Sequence, residues 1–332
     1  MRTSQDGFSL AELMISMAIM LLIAGGATTA LLKMTSAQAT IWNRTQMHSG
    51  IRGATEVLQQ EVGQAGRVAL PADVTLTNAI AAGSTTAQTV TVSSTAGMFL
   101  GEKLIIDAGC FDTANPCTSR QETVTLTATP SSTQITAVFA NPHAASVPIQ
   151  VRGVFATGVV PPLASPSAYA PSGATFTYAN GSTGSVLKLY GDINADGNMV
   201  YIEYSCVIPA VAGGVQSPGN LYRNAMAWDA ASSAAPAASQ ILLSNIMPNP
   251  DSSPCFTYQT QVVSGVYYVT DVAITLTAQT QLIDPVTKRF QTETKALLNV
   301  SPRNVFNAWT LASLGIANRI QPMPPPVTNL LQ

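Results

Sequence analysis

An unbroken apolar run begins near the start of the chain. From Phe8 to Leu32 there are 25 residues with a single charge, that of Glu12. As a helix this run would be about 38 Å long, against a hydrocarbon core of about 30 Å. A cleaved secretory signal has a shorter apolar region of about 7–15 residues. The pattern therefore predicts a membrane-spanning helix over residues 8–32 that stays in the mature protein.

After this run the hydrophobic pattern becomes that of an amphipathic helix. One face repeats at intervals of three, four or seven residues, and charged residues such as Glu61 lie off it. The members of this face are Ala37, Ile41, His48, Ile51, Leu58, Val62 and Ala65. The pattern predicts that the helix continues over residues 33–66, with His48 as a core or interface histidine rather than a metal ligand.

The rest of the chain shows the alternation of β-strands. Residues 72–155 form short β-branched segments separated by turns, which predicts an inserted all-β region. Residues 156–185 are rich in Pro, Gly, Ser and Ala, a composition typical of a linker or long loop. Within residues 186–305 the segment Val266–Thr277 alternates as a half-buried antiparallel strand does.

A sheet packed on the amphipathic helix buries the apolar faces of both elements. The predicted fold is therefore α+β: a long N-terminal helix, half of it spanning the membrane, packed on an antiparallel β-sheet head with an inserted all-β region. Residues 306–332 are interpreted as a C-terminal tail, with an extended polyproline stretch over residues 322–326.

Composition narrows the class of function. Charged residues make up 10% of the chain and the net charge is -2, which gives no electrostatic case for nucleic-acid binding. The chain has two histidines and four cysteines, and we find no Gly-rich phosphate loop. These residues do not favour hydrolase, redox or nucleotide chemistry. We therefore expect that the protein has no catalytic site and is not an enzyme.

The start of the apolar run resembles a known processing motif. Residues 7–16, Gly-Phe-Ser-Leu-Ala-Glu-Leu-Met-Ile-Ser, are similar to the prepilin processing site of type IV pilins and type II secretion pseudopilins. In that family a peptidase cuts after the glycine and methylates the new N-terminal residue. The resemblance implies cleavage between Gly7 and Phe8, with residues 1–7 as the leader. Glu12 then becomes the family's fifth-position glutamate, which acts in assembly.

Two pairings of Glu12 remain open at the level of sequence. Its carboxylate is four residues from the Phe8 amine on a helix, so the two groups can pair within one chain. It can instead pair with the Phe8 amine of a neighbouring subunit, which the family's behaviour favours.

The resemblance also implies a role and a location. Residues 58–67 resemble the helix end of W-type minor pilins, which prime or cap a type IV pilus, and of J-type pseudopilins of type II secretion. The strand order over residues 186–300 resembles that of W-type minor pilins. A tip adhesin or DNA-uptake module is the third interpretation, although basic residues are scattered rather than aligned.

The implied partners are prepilin peptidase, other pilin or pseudopilin subunits, the inner-membrane assembly platform and, before assembly, membrane lipid. The implied location is the bacterial inner membrane with the head in the periplasm, then the pilus or cell surface. Charge alone does not set the orientation, because the leader carries only Arg2, Asp6 and its terminal amine.

The cysteines are even in number, which in an exported protein suggests two disulfides. We expect Cys110 to pair with Cys117 across a short loop, and Cys206 to pair with Cys255 across the head.

One segment matches the pattern of a calcium loop. Its oxygen-bearing residues have the spacing of an EF-hand-type loop, although strands rather than helices flank it. The candidate ligands are Asp192, Asn194, Asp196, Asn198 through its backbone carbonyl, and Glu203. A plain hairpin turn explains the same residues, with Glu203 as a strand residue.

Overall fold

The computed structural model describes residues 9–81, 83–109, 121–163, 178–233, 235 and 237–332. Its first element is a single helix, α1 (Leu10–Gln64), of 55 residues. At 1.5 Å per residue this helix is about 80 Å long. It runs without a break through both the apolar and the amphipathic segments, as the sequence predicts.

Only the C-terminal part of α1 contributes to the core. Its buried residues are Asn43, Met47, Ile51, Ala54, Thr55, Leu58, Glu61 and Val62. The predicted apolar face is therefore correct from Ile51 onward. Ile41 is 66% exposed, and the His48 side chain is 54% exposed and pairs with Glu293. Ile41 differs from the prediction because the buried part of the helix begins only at Asn43. His48 lies at the edge of the interface and contacts the head through Glu293.

Eight short strands follow α1. They are β1 (Val74–Thr75), β2 (Gln88–Thr91), β3 (Lys103–Ile106), β4 (Glu122–Thr125), β5 (Ala128–Ser131), β6 (Gln134–Ala137), β7 (Pro148–Val151) and β8 (Val154–Phe155). The first seven form a four-stranded sheet in the order β1-β7-β3-β4 and a three-stranded sheet in the order β2-β6-β5. Leu104, Ile106, Ile135 and Phe139 belong to a separate core between them. The extra all-β region is thus present.

The segment interpreted as a linker is partly built into the core. Val159, Val160 and Ser182 are fully buried. The Val160 amide donates to the carbonyl of Lys188, 3.0 Å away, so the segment lies along the following strand. A glycine of this segment also allows a close approach to the end of α1, since a Cβ on Gly158 would be 2.1 Å from the Cα of Gly66. Residues 164–177 lie outside the described part.

Seven antiparallel strands form the main sheet of the head. They are β9 (Val186–Gly191), β10 (Val200–Val207), β11 (Gly219–Ala227), β12 (Ile241–Met247), β13 (Phe256–Val263), β14 (Val266–Gln279) and β15 (Thr292–Val300). β15 pairs with one edge of β14, while β13 and β12 share the other edge. β11, β10 and β9 continue outward from β12. The inner face of this sheet packs on the C-terminal part of α1.

This sheet is divided into two halves. The β9–β12 half and the β13–β15 half are joined by only two ladder pairs, Ile246 with Ala278 and Met247 with Thr277. Helix α1 packs against strands of both halves. The helix therefore acts as a common support for two parts of the sheet that are weakly paired with each other.

The C-terminal residues fold back onto the head. They form α2 (Arg303–Ser313), β16 (Ile320–Gln321), which pairs in parallel with β8, and α3 (Pro325–Leu330). Of the prolines expected to be extended, Pro324 has extended backbone angles, whereas Pro325 and Pro326 begin α3, where their missing N–H groups have no helical partner to lose. Val327 and Leu331 are fully buried, so this end is fixed by packing.

Candidate processing and assembly site

The start of α1 is organised by a capping box. The Ser9 hydroxyl accepts a hydrogen bond from the Glu12 amide at 3.2 Å, and the Ser9 amide donates to the Glu12 carboxylate at 3.0 Å. This reciprocal pair satisfies two backbone donors that the first turn of a helix leaves unpaired. Gly7 and Phe8, the expected processing site, lie outside the described residues. Cleavage between them would leave both bonds intact, because the box begins at Ser9.

The first half of α1 presents an apolar surface to its surroundings. Among the described residues, this is the one helix long and apolar enough to cross a membrane. Its most apolar 18-residue window has a mean hydropathy of 2.0, and none of that window is buried against the rest of the chain. So large an uncovered apolar surface is stable in a bilayer or among other apolar helices, which fits membrane anchoring.

A buried ion pair joins the other half of α1 to the head. Glu61 accepts hydrogen bonds from Arg223 Nε at 3.0 and 3.1 Å, and from Arg223 Nη2. The Tyr204 hydroxyl donates to the same carboxylate. Tyr204 on β10 and Arg223 on β11 are directly paired across the sheet, so both reach Glu61 from one place. The hydrogen bond with Glu61 raises the pKa of Arg223, and burial raises the pKa of Tyr204.

Sequence reasoning missed this site. The helical pattern placed Glu61 among the solvent-facing charges, yet the residue is 8% exposed. One feature of the sequence did indicate burial. Glu61 directly precedes Val62, so it lies at the edge of the apolar face of the helix. Nothing in the local sequence pairs it with an arginine 162 residues away.

The end of α1 is also joined to the head through its backbone. The Gly66 amide donates to the Tyr190 carbonyl at 2.9 Å, and the Asp192 amide donates to the Arg67 carbonyl at 2.8 Å. Gly191 lies between these contacts with a φ of 136°, and a Cβ there would be 2.6 Å from the Arg67 carbonyl oxygen. Only glycine fits this close approach.

The predicted calcium ligands are not brought together. The buried Asp192 accepts from the amides of Asp196 and Gly197 at 3.0 and 3.3 Å, and it pairs with Arg67. Asn194, Asp196 and Asn198 are exposed on the loop that connects β9 with β10. This is the hairpin of the alternative interpretation.

Glu203 lies in β10 rather than on the loop. It is paired across the sheet with Lys188, and it accepts hydrogen bonds from Tyr201 and Ser233. Glu203 is three residues beyond Val200, the strand partner of Gly191, which is about 10 Å along the strand. Calcium–oxygen distances are about 2.3–2.6 Å, so one ion does not reach both Asp192 and Glu203 in this arrangement. Among the described residues, no three His, Cys, Asp or Glu side chains form a group that could hold a metal.

One disulfide crosses the division in the main sheet. Cys206 near the end of β10 is bonded to Cys255, which directly precedes β13. The Phe256 amide donates to the Gly184 carbonyl at 3.0 Å, and the Tyr258 hydroxyl donates to carbonyls of the same segment. The bridge thus supports the place where the two halves have few ladder bonds. Cys110 and Cys117 lie outside the described residues.

A comparison with known protein families supports the predicted processing motif at the start of the chain. Residues 2–28 match the family model described as the prokaryotic N-terminal methylation motif. This match supports a type IV pilin-like or pseudopilin subunit, a class that is structural rather than catalytic. It also implies processing by prepilin peptidase and assembly with other pilin subunits. A comparison with curated proteins finds no match to the chain.

Proposed function

We propose that this protein is a W-type minor pilin, a structural subunit that primes or caps a type IV pilus. Prepilin peptidase cleaves it after Gly7 and methylates Phe8. Before assembly the helix anchors it in the inner membrane, with its head in the periplasm and in contact with the assembly platform. The observation that carries the proposal is α1 itself, because one helix joins an uncovered apolar half to a half packed under an antiparallel sheet.

The inserted β region supports a place at the end of a filament. It departs from α1 beyond Arg67 and has a hydrophobic core of its own. A second bulky unit beside each helix would crowd the shaft, whereas one copy at the tip meets no such restriction. A J-type pseudopilin remains the alternative, since it shares the motif and the helix. Deletion of the gene separates the two, because it would abolish pili in the first case and protein secretion in the second.

Processing is tested by the mass of the mature protein. We expect the chain purified from its membrane to begin at N-methylated Phe8, and Gly7→Leu to remain uncleaved. The bulky side chain would block the cut without changing α1, which begins three residues later. Thr3→Ala, inside the leader, is the matched control and should be cleaved normally. A mature N-terminus beyond Leu32 would instead identify an ordinary signal sequence and remove the basis of the proposal.

The charge of Glu12 is tested separately from its capping bond. Glu12→Gln keeps an acceptor for the Ser9 amide but removes the charge, whereas Glu12→Ala removes both. We expect both variants to insert at least as well as the parent, since an intramembrane charge costs about 2.5–3.5 kcal/mol on insertion scales. We expect both to be incorporated at least about tenfold less into sheared filaments, which corresponds to about 1.4 kcal/mol of pairing between subunits.

Quantitative immunoblotting of filaments and membranes measures these two steps. Normal incorporation of the Gln variant beside a defective Ala variant would assign the effect to helix capping. Normal incorporation of both would contradict pairing between subunits.

A further inference from the structure

The turn between β14 and β15 lies beside α1 where its apolar half ends. We call residues 281–290 the β14–β15 tip. Pro285 and Val286 border a depression that is also lined by Leu32 and Lys33 of the helix. Further from the apolar half, Leu282 of the tip lies in another depression against α1. Because Lys33 is the first charged residue after the apolar run, the tip lies at the depth where the helix leaves the hydrocarbon.

The tip is held in one conformation against the helix. Asp284 is buried and accepts from the amides of Val286 and Thr287 at 2.7 and 3.1 Å, which fixes the turn. The Thr40 hydroxyl of α1 donates to the same Asp284 oxygen at 3.0 Å, and Gln291 donates to the other. The position of the tip relative to the membrane-spanning half is therefore set by direct bonds to the helix.

The outer surface of the tip combines apolar and basic side chains. Four apolar residues expose between 46% and 64% of their surface: Leu282, Ile283, Val286 and Phe290. Lys288 and Arg289 lie among them, and both are exposed. Among the described residues, neither of these cations nor Lys33 takes part in an ion pair. Apolar side chains next to free basic groups are typical of segments that lie in the interface of an anionic membrane.

We propose that the β14–β15 tip is a second membrane contact of this protein. Its apolar side chains enter the boundary between headgroups and acyl chains, and Lys288 and Arg289 bind the phosphates of anionic phospholipids. The proposal rests on membrane anchoring through α1, because the bilayer around that helix continues directly under the tip. The contact orients the head on the membrane before assembly and is broken when the subunit enters a filament.

Photocrosslinking of the full chain in vesicles tests the contact. A benzophenone-bearing phenylalanine analogue replaces Val286 in protein reconstituted in phosphatidylethanolamine and phosphatidylglycerol, and adducts are identified by mass. Position 21, within the apolar half, is the control for anchoring. Position 266, at the opposite end of β14 and about 40 Å from the tip, is the control for a head surface away from the membrane.

We expect phospholipid adducts at positions 286 and 21, and none at 266. Adducts at 21 without adducts at 286 would overturn the tip contact while leaving anchoring intact. Protein–protein adducts at 286 in place of lipid would overturn it in favour of a neighbouring subunit. Absence of lipid adducts at 21 would overturn anchoring and the tip contact together.

The basic residues are tested by charge removal. Lys288→Gln with Arg289→Gln should reduce lipid adducts at position 286 by about fivefold for each charge removed in anionic vesicles. The same pair should have no effect in vesicles of phosphatidylcholine alone. Arg303→Gln is the matched control, since it lies beside the C-terminal end of α1, about 45 Å along the helix from Lys33. An equal loss with Arg303→Gln would refute headgroup binding by the tip.

Discussion

Replacement of Arg223 by methionine is expected to lower the free energy of unfolding of the head by about 3 kcal/mol. The substitution keeps much of the side-chain volume but leaves Glu61 buried without its cation. Removal of one partner of a buried ion pair costs about 3–5 kcal/mol, and the lower end applies because the Arg223 side chain is 29% exposed. Denaturant unfolding of the full chain in detergent, followed by near-ultraviolet circular dichroism, measures the change.

The matched control removes both charges. Glu61→Leu combined with Arg223→Met should recover most of the lost stability, because two apolar side chains replace a pair that is costly to desolvate. The Tyr204 hydroxyl loses its acceptor in that variant, so adding Tyr204→Phe should recover more. If Arg223→Met alone unfolds at the same denaturant concentration as the parent, the pair does not hold α1 to the sheet.

Loss of the Cys206–Cys255 disulfide is expected to destabilise the head by about 4 kcal/mol, from the entropy of the loop that it closes. Replacing both cysteines by alanine avoids a free thiol. The loss of stability should be largest at the division between the two halves of the sheet, because only two ladder pairs connect the halves there. In hydrogen exchange, the amides at the start of β13 should lose protection before those at the centre of β11.

A second variant separates the covalent bond from side-chain size. Cys206→Ser with Cys255→Ser should match the alanine pair to within about 1 kcal/mol if the cross-link dominates, and reduced parent protein should behave like both. Unchanged stability in all three would show that the helix and the non-covalent contacts between the two halves hold them together without the disulfide.

The long-range features of the fold explain what the sequence could and could not predict. The helix was predictable because its signals are local: an apolar run, then an apolar face from Ile51 to Ala65. The strand β14 was predictable from its alternation. β12 has no such alternation at its start, because Ile241, Leu242 and Leu243 are consecutive apolar residues. Two register shifts also interrupt its pairing with β11.

The candidate sites also differ in whether their signals are local or long-range in sequence. The processing motif that contains Glu12 was predictable because it is a short contiguous pattern, and residues 2–28 match the family model. The role of Glu12 in assembly stays a prediction. The calcium pattern was also contiguous, but its last residue depends on the pairing of β9 with β10. That pairing places Glu203 opposite Lys188, and spacing along the chain does not reveal it. Glu61 was missed because its partners, Tyr204 and Arg223, come from strands far along the chain.

The position of the Cys206–Cys255 bridge has a mechanical consequence for a subunit under tension. The two cysteines are 49 residues apart in sequence, and the intervening chain includes β11 and β12. A pulling force that reaches the chain on both sides of the bridge passes through the sulfur–sulfur bond. The bypassed segment would add roughly 160 Å of contour length if it unravelled. The disulfide prevents this extension. A head under tension therefore unfolds in other segments before β11 and β12 are pulled out of the sheet.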